Sequence, residues 1–415
     1  MMRQLGPSLH VYYAGIVILS ALILGGGTEQ GLWTDHLIEF LALPALVIGL
    51  IHFGSNRLTR TGRILAVAAF MLVFIQFLPV PRSLPVALDF IDTQSWSFFS
   101  PAPGRSLESG LFGLSAVGFF LYLARFSDRD LARCLPFFYA GLVVNMLVGM
   151  VQLSYGTRIA IDGLLPFVIR SGLFANENHL SALVFTMIPL MAFSLMVRRR
   201  RTALFIFLTA LIVALLFAVG SRAGMAFVTT FSIVSLIWFA RQDRTVGIKA
   251  AALAFGIIGL VVVSTGLGIQ SSLEGEMRPV IFSTTWRAIT DFWLTGSGLG
   301  TFPLIYPVYE ETQDIMQSYI NHAHNDYLEF VLETGIAGGV LIVAFLVASA
   351  RNMTRSPLAE AAFLSIVGIS LHSLVDYPLR TLAIAIPAAY LAAILLSKPD
   401  IDKTPLHHRS SRTRR

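Results

Sequence analysis

Long apolar runs separated by short polar breaks constrain the fold of this chain more than any other feature. Hydrophobic residues make up 55% of the 415 positions and charged residues only 13%, whereas a soluble domain carries about 25% charged residues. Lipid cannot satisfy backbone groups outside helices or closed barrels. Because the runs are about 20 residues long and do not alternate over about 10, the sequence predicts an all-α polytopic membrane protein.

The apolar windows predict about twelve membrane spans. They form a single transmembrane domain, residues 1–397, followed by a basic tail, 398–415, that is predicted to be disordered. The spans lie near residues 10–26, 37–53, 64–79, 109–124, 134–152, 180–197, 202–219, 225–240, 249–269, 335–350, 359–374 and 382–397. The longest segment between spans is 270–334, between the ninth and the tenth.

The distribution of basic residues predicts the orientation. With both termini in the cytoplasm, the inner segments hold 22 of the 30 Lys and Arg residues and the outer segments hold 8, as the positive-inside rule requires. Segment 270–334 is therefore predicted to lie outside. The net charge of +6 follows from this topology, so it does not indicate nucleic-acid binding, and the basic tail is expected to contact membrane lipids.

The outer segment 270–334 is predicted to contain short amphipathic helices. In "STTWRAITDFW", Ser283–Thr285 offer N-cap candidates, and Trp286, Ile289 and Trp293 share a helical face. A second helix is predicted over Phe302–Met316. Between them, "TGSGLGTF" predicts a turn; a phosphate-binding loop is the alternative, although no strand precedes it.

A polar cluster, "HAHND", stands where the outer segment enters the tenth span. Asp326 followed by Glu329 fits a capping box, which would start a helix at Asp326. His324 would then precede the helix N-terminus, where the dipole disfavours imidazolium. His324 could be a general base or a structural histidine, or it could bind a metal with His322 and Asp326. The residues alone leave these three interpretations open.

The sequence "HNDYLEFVLETGIAG" resembles the signature of the O-antigen ligase and polymerase superfamily of bacterial envelopes. That pattern is His, then Asn, Ser or Gln, nine residues, Gly, two residues and Gly; here it falls on His324, Asn325, Gly335 and Gly338. The stretches "RSGLFANENHLSA", "GSRAG", "TTWRAITDFWLTGSGLGTF" and "HSLVDYPLR" resemble further landmarks of these proteins in the same order. The resemblance covers about residues 150–390.

The resemblance implies an enzyme of the bacterial inner membrane with its site facing the periplasm. It implies transfer of a glycan from undecaprenyl diphosphate to a sugar hydroxyl, of lipid A–core in a ligase or of a second lipid-linked chain in a polymerase, with no metal or other cofactor. A lipid-linked glycan transporter is the alternative of a different class. A transporter is expected to show repeated halves, and no convincing repeat is visible in this sequence.

Residue roles follow from the same resemblance. It implies that His324 is the catalytic base and that Arg222 binds the donor diphosphate. Arg170 and Arg287 are expected to be further anion contacts. Weaker site candidates are Asn325, His322, Asn178, His179 and Asp376, and His372 is expected to be a packing residue.

Overall fold

The computed structural model describes residues 9–79, 99–155, 165–219, 222–240, 273–315 and 319–399. Within these ranges the regular secondary structure is helical, apart from two isolated bridges, Leu58–Ser397 and Ser171–Phe174. The helices are α1 Leu9–Leu24, α2 Trp33–Ile51, α3 Arg60–Phe74, α4 Pro103–Leu123, α5 Asp128–Tyr155, α6 Glu177–Ala192, α7 Thr202–Val219, α8 Arg222–Phe239, α9 Leu273–Phe292, α10 Phe302–Tyr309, α11 Asp326–Asn352, α12 Pro357–His372 and α13 Leu382–Leu396.

Eleven of the predicted spans coincide with helices of the described ranges, and the ninth, 249–269, lies outside them. Six of these helices are long and apolar enough to cross a membrane: α2, α3 with its 3₁₀ extension to Phe77, α4, α5, α6 with its π-helical extension to Arg198, and α11. The others, α1, α7, α8, α12 and α13, are shorter apolar helices. The fold agrees with a polytopic membrane protein, and the count of twelve stays a prediction.

Two buried helices form the centre of the bundle. Helix α13 packs against α1, α4, α11 and α12, and helix α6 packs against α5, α8 and α12. Nearly every residue of both helices is buried. Helices enclosed in this way contact other helices rather than lipid, so they hold the surrounding elements at fixed positions.

Helices α6 and α12 run antiparallel. The Ser365 hydroxyl donates to the Thr186 carbonyl at 2.7 Å, and beyond the end of α12 the Asp376 carboxylate accepts a hydrogen bond from Asn178 at 2.7 Å. The later residue, Asp376, therefore contacts the earlier residue of α6, Asn178, whereas Ser365 contacts Thr186. The start of α6 and the end of α12 therefore lie at the same end of the bundle.

Helix α8 is antiparallel to α12 as well. A Cβ at Gly368 would lie 3.2 Å from Phe231, whereas the ring of His372, one turn later, lies 5.4 Å from the ring of Phe227. His372 is buried, in agreement with a packing role. The N-terminus of α8, at Arg222, therefore lies at the same end as the start of α6.

Helix α11 is broken at Gly335, which has φ 64° and ψ −157°. The glycine-rich stretch after α9 satisfies the backbone groups that the break exposes: Ile336 N–H donates to the Trp293 carbonyl at 2.7 Å, and Gly298 N–H donates to the Glu333 carbonyl at 2.9 Å. The stretch is thus a tight loop with positive φ at Gly296, Gly298 and Gly300. It joins the end of α9 to the middle of α11.

The predicted start of the short helix, with a cap at Ser283–Thr285, is wrong. Helix α9 begins at Leu273 and runs through this stretch. The hydroxyl of Thr285 donates to the carbonyl of Ile281 at 2.7 Å, and the hydroxyl of Ser283 donates to that of Val280 at 2.9 Å. Hydroxyls that bond the preceding turn continue a helix instead of capping it.

The predicted apolar face of α9 is also only partly correct. Ile289 is buried, but Trp286 and Trp293 are exposed. The next helix, α10, ends at Tyr309, well before the predicted Met316, which lies outside the described residues. Helices α9 and α10 share a small core of their own, separate from that of the bundle.

Candidate active site

Asp376 lies in a buried polar cluster at the common end of α6, α8 and α12. Its side chain is 1% exposed. The Asn178 side-chain amide donates to Oδ2 at 2.7 Å, and the Tyr377 N–H donates to Oδ1 at 2.9 Å. These hydrogen bonds fix the carboxylate at the start of α6.

Three side chains that carry positive charge, or acquire it on protonation, face this carboxylate. Nε2 of His179 and Nδ1 of His324 lie 3.7 and 3.8 Å from Oδ1, and Nη2 of Arg278 lies 3.8 Å from Oδ2. Burial by itself raises the pKa of Asp376, but the facing His179 and His324 outweigh burial and hold this pKa well below 3.8. Asp376 is therefore an anion at neutral pH.

His324 combines accessibility with an unusual backbone. Its side chain is 29% exposed, and its φ of 50° lies in the left-handed region, which costs a residue with a side chain on the order of 1 kcal/mol or more. The edge-to-face contact with Tyr377 holds its ring at 4.9 Å between centroids. A strained, accessible histidine beside a buried carboxylate has the geometry of a general base.

The start of α11 agrees with the prediction, but the cap does not. The N-cap is Asn325, whose Oδ1 accepts from the N–H groups of Tyr327 and Leu328, both at 3.0 Å. Asp326 is the first helical residue, and its carboxylate instead accepts from the Ser373 hydroxyl at 2.7 Å. The capping box with Asp at the cap is therefore wrong, because Asn325 supplies the capping oxygen.

His322 is buried and has both ring nitrogens engaged. Nδ1 lies 2.8 Å from Oε1 of Glu329, and Nε2 lies 2.7 Å from the Thr28 carbonyl. Burial opposes protonation of His322, but the charge of Glu329 outweighs it and raises the pKa above 6.5. These contacts leave no ring nitrogen for a metal shared with His324 and Asp326. Within the described ranges, no group of three His, Cys, Asp or Glu side chains is arranged to hold a metal ion.

Asp376 lies on the same loop as Arg380, and Arg380 links this loop to the start of α11. Its Nη1 lies 2.9 Å from Glu333, and its Nε lies 3.3 Å from Glu329 and 3.9 Å from Asp326. The three acids occupy positions i, i+3 and i+7 of one helical face. That spacing is visible in the sequence, but nothing there indicates that Arg380 is their partner.

The three arginines predicted to bind the donor diphosphate lie in different parts of the structure. Arg222 begins α8 at the same end of the bundle as the cluster, and its side chain lies outside the described residues. Arg287 bonds the Glu311 carboxylate and, at 3.2 Å, the Tyr309 carbonyl, so it belongs to the α9–α10 unit. Arg170 is exposed in the segment before α6.

The structure thus brings together His324, Asn178, His179 and Asp376, with Asn325 as the cap of α11. Sequence reasoning missed two residues of the cluster. Tyr377 follows Asp376 in the quoted stretch "HSLVDYPLR", and Arg278 is one of the eight outer arginines. Neither has a sequence pattern that distinguishes it from its neighbours.

A comparison with protein families finds a match to the central part of the chain. The family model described as O-antigen ligase matches residues 207–343, which confirms the resemblance to the O-antigen ligase and polymerase superfamily. The matched range runs from α7 to the middle of α11, so it contains Arg222, Arg278 and His324, and it ends before Asp376. No curated protein matches the chain.

Proposed function

Because residues 207–343 carry the O-antigen ligase match, we propose that the protein transfers a glycan from undecaprenyl diphosphate to a sugar hydroxyl at the periplasmic face of a bacterial inner membrane. The observation that carries the proposal is the pairing of the partly exposed His324 with the buried Asp376 across 3.8 Å. An imidazole backed by a carboxylate accepts a proton and is stabilised once it is charged.

In the proposed reaction the acceptor oxygen attacks the anomeric carbon of the donor sugar. The bond from that carbon to the diphosphate oxygen breaks, and diphosphate leaves on its lipid. The hydroxyl proton passes to Nε2 of His324, because Nδ1 faces Asp376. The Asp376 anion then stabilises the imidazolium.

The leaving diphosphate gains negative charge as the bond breaks and needs cationic partners. Arg222 is the proposed main ligand, because it begins α8 at the same end of the bundle as Asp376. Arg278 is a further candidate, since its side chain is 33% exposed and its guanidinium already lies in the cluster. Arg170 and Arg287 are proposed as outlying contacts, although Arg287 would have to exchange Glu311 for the phosphate.

The proposed acceptor is a sugar of lipid A–core, which makes the protein a ligase. A second lipid-linked chain as acceptor would make it a polymerase, and transfer assays with each acceptor distinguish the two. The 22-to-8 division of Lys and Arg supports cytoplasmic termini and an outer site. Reporter fusions at Gln313 and at the C-terminus are expected to report opposite sides, and a periplasmic C-terminus would contradict this orientation.

The direct test is a transfer assay with purified donor lipid on His324→Ala and His322→Ala. We expect His324→Ala to insert normally and to lose at least about 100-fold in rate, the contribution of a general base. His322→Ala is the matched comparison; it should retain more activity, because the buried His322 contacts Glu329 and Thr28 instead of Asp376. Both variants and the wild type are also assayed with a chelator.

Two results would overturn the proposal. A His324→Ala variant as active as the wild type would contradict the assignment of His324 as the general base. Equal losses from both histidine variants, together with inhibition by the chelator, would replace it with a metal site.

A further inference from the structure

A large groove lies next to the candidate active site but is separate from it. Its volume is about 470 Å³, and its wall is formed mainly by α3, α4, α11 and α13. His322, Asp326 and Tyr327 line it, whereas His324 and Asp376 do not. The groove therefore reaches the start of α11 without including the His324–Asp376 pair.

The body of the groove suits a hydrocarbon chain. Along α13 its wall is formed by Ala385, Ala388, Ala389, Ala392 and Leu396, a stretch that rises about 16 Å. One leaflet of a bilayer has a hydrocarbon thickness of about 15 Å. The four alanines have short side chains, so this face of α13 leaves room in the groove for one lipid chain of a single leaflet.

The polar residues of the groove lie near the candidate active site, and carboxylates predominate. Acidic side chains of the wall are Glu29, Asp35, Glu39, Glu108 and Asp326. Among the described residues that line the groove, Arg380 is the single Lys or Arg, and it already contacts three acids. The mouth of the groove is therefore acidic, which disfavours a lipid head group with only negative charge.

Two buried groups at the mouth are left without a hydrogen bond. Asp35 is 7% exposed, and its Oδ1 has no partner; Nη2 of Arg380 has none either. Leaving a buried polar group unpaired costs on the order of 1–3 kcal/mol. The carboxylate oxygen lacks a donor and the guanidinium nitrogen lacks an acceptor, and both residues line the groove. A bound molecule that carries both a cation and an anion is therefore complementary to this end of the groove.

We propose that this groove is a binding site for a zwitterionic aminophospholipid of the phosphatidylethanolamine type. One hydrocarbon chain lies along the alanine face of α13. The ammonium of the head group bonds Asp35, and its phosphate bonds Nη2 of Arg380. Phosphatidylglycerol offers the phosphate but no ammonium, so the site selects between the two head groups.

The test is lipid retention by the full chain. Wild-type protein is reconstituted with equal amounts of phosphatidylethanolamine and phosphatidylglycerol, and the lipids that remain bound are counted by native mass spectrometry. A charge-assisted hydrogen bond to a buried carboxylate predicts about tenfold preference for phosphatidylethanolamine. Equal retention of the two lipids, or preference for phosphatidylglycerol, would overturn the proposal without any variant.

Two matched pairs of variants locate the site. Asp35→Asn keeps the shape and should abolish the preference, whereas Asp314→Asn removes an acid that does not line the groove and should preserve it. Ala388→Leu fills the groove and should reduce the bound lipid, whereas Ala350→Leu on the exposed face of α11 should not. An unchanged preference in folded Asp35→Asn would also contradict the proposal. Glycan transfer is not the readout, so the result is independent of the proposed function.

Discussion

Asp376 faces the ring of His324 across 3.8 Å from a loop that is fixed on two sides. Asn178 holds the carboxylate to the start of α6, and Arg380, four residues later, holds the loop to the start of α11. His324 immediately precedes the Asn325 cap of that same helix. The relative position of base and carboxylate therefore depends on the packing of α6, α11 and α12.

Replacing Asp376 with Asn tests whether the carboxylate acts through His324. The amide cannot stabilise an imidazolium as a carboxylate does, so we expect kcat to fall about 10- to 100-fold, less than the loss expected on removing the general base itself. KM should change little if the donor is held by arginines. A thermal unfolding scan controls for misfolding, since Asn178 also loses its carboxylate partner. Wild-type kcat in this variant would exclude a role for Asp376 in the reaction.

Arg222→Lys tests the proposed diphosphate ligand. Lysine keeps the charge but lacks the planar fork that binds phosphate through two parallel hydrogen bonds. The loss of transition-state stabilisation should be on the order of 2–4 kcal/mol, measured as the ratio of kcat/KM values. Arg287→Lys is the matched control and should lose less, because Arg287 is paired with Glu311. Near-normal turnover by Arg222→Lys would contradict the assignment of Arg222 as the diphosphate ligand.

The helices could be predicted because the length of each apolar run can be read directly from the sequence. The histidine motif could be recognised because its residues are close in sequence, and the start of α11 at Asp326 follows from the polar residues before it. The contacts of Asp376 with Arg278 and of Arg380 with Glu333 join distant segments, and no local pattern encodes them. The prediction of Asp326 as the N-cap was wrong for a related reason. Its carboxylate accepts a hydrogen bond from Ser373, which belongs to another segment.

Gly335 should tolerate no side chain. Its φ is 64°, and a Cβ there would lie 2.6 Å from the Leu294 carbonyl oxygen, so Gly335→Ala should destabilise the protein by at least about 1–3 kcal/mol. Gly339→Ala is the control on the same helix, because its Cβ would meet only Val331 at 3.6 Å. That variant should gain about 0.5–1 kcal/mol. Thermal unfolding of both in detergent measures the difference, and equal stabilities would contradict the backbone explanation.

The His322–Glu329 pair should make stability depend on pH. Because the folded pKa of His322 lies above 6.5, its ionic contribution is complete below pH 6.5 and is lost as pH rises through the folded value. The melting temperature should therefore fall more on His322→Gln at pH 6 than at pH 9. In a Glu329→Gln background the same substitution should no longer cost more at pH 6 than at pH 9, because the charge that raises this pKa is gone and burial, which lowers it, remains. A penalty that grows towards pH 9 would contradict the assignment of the ion pair.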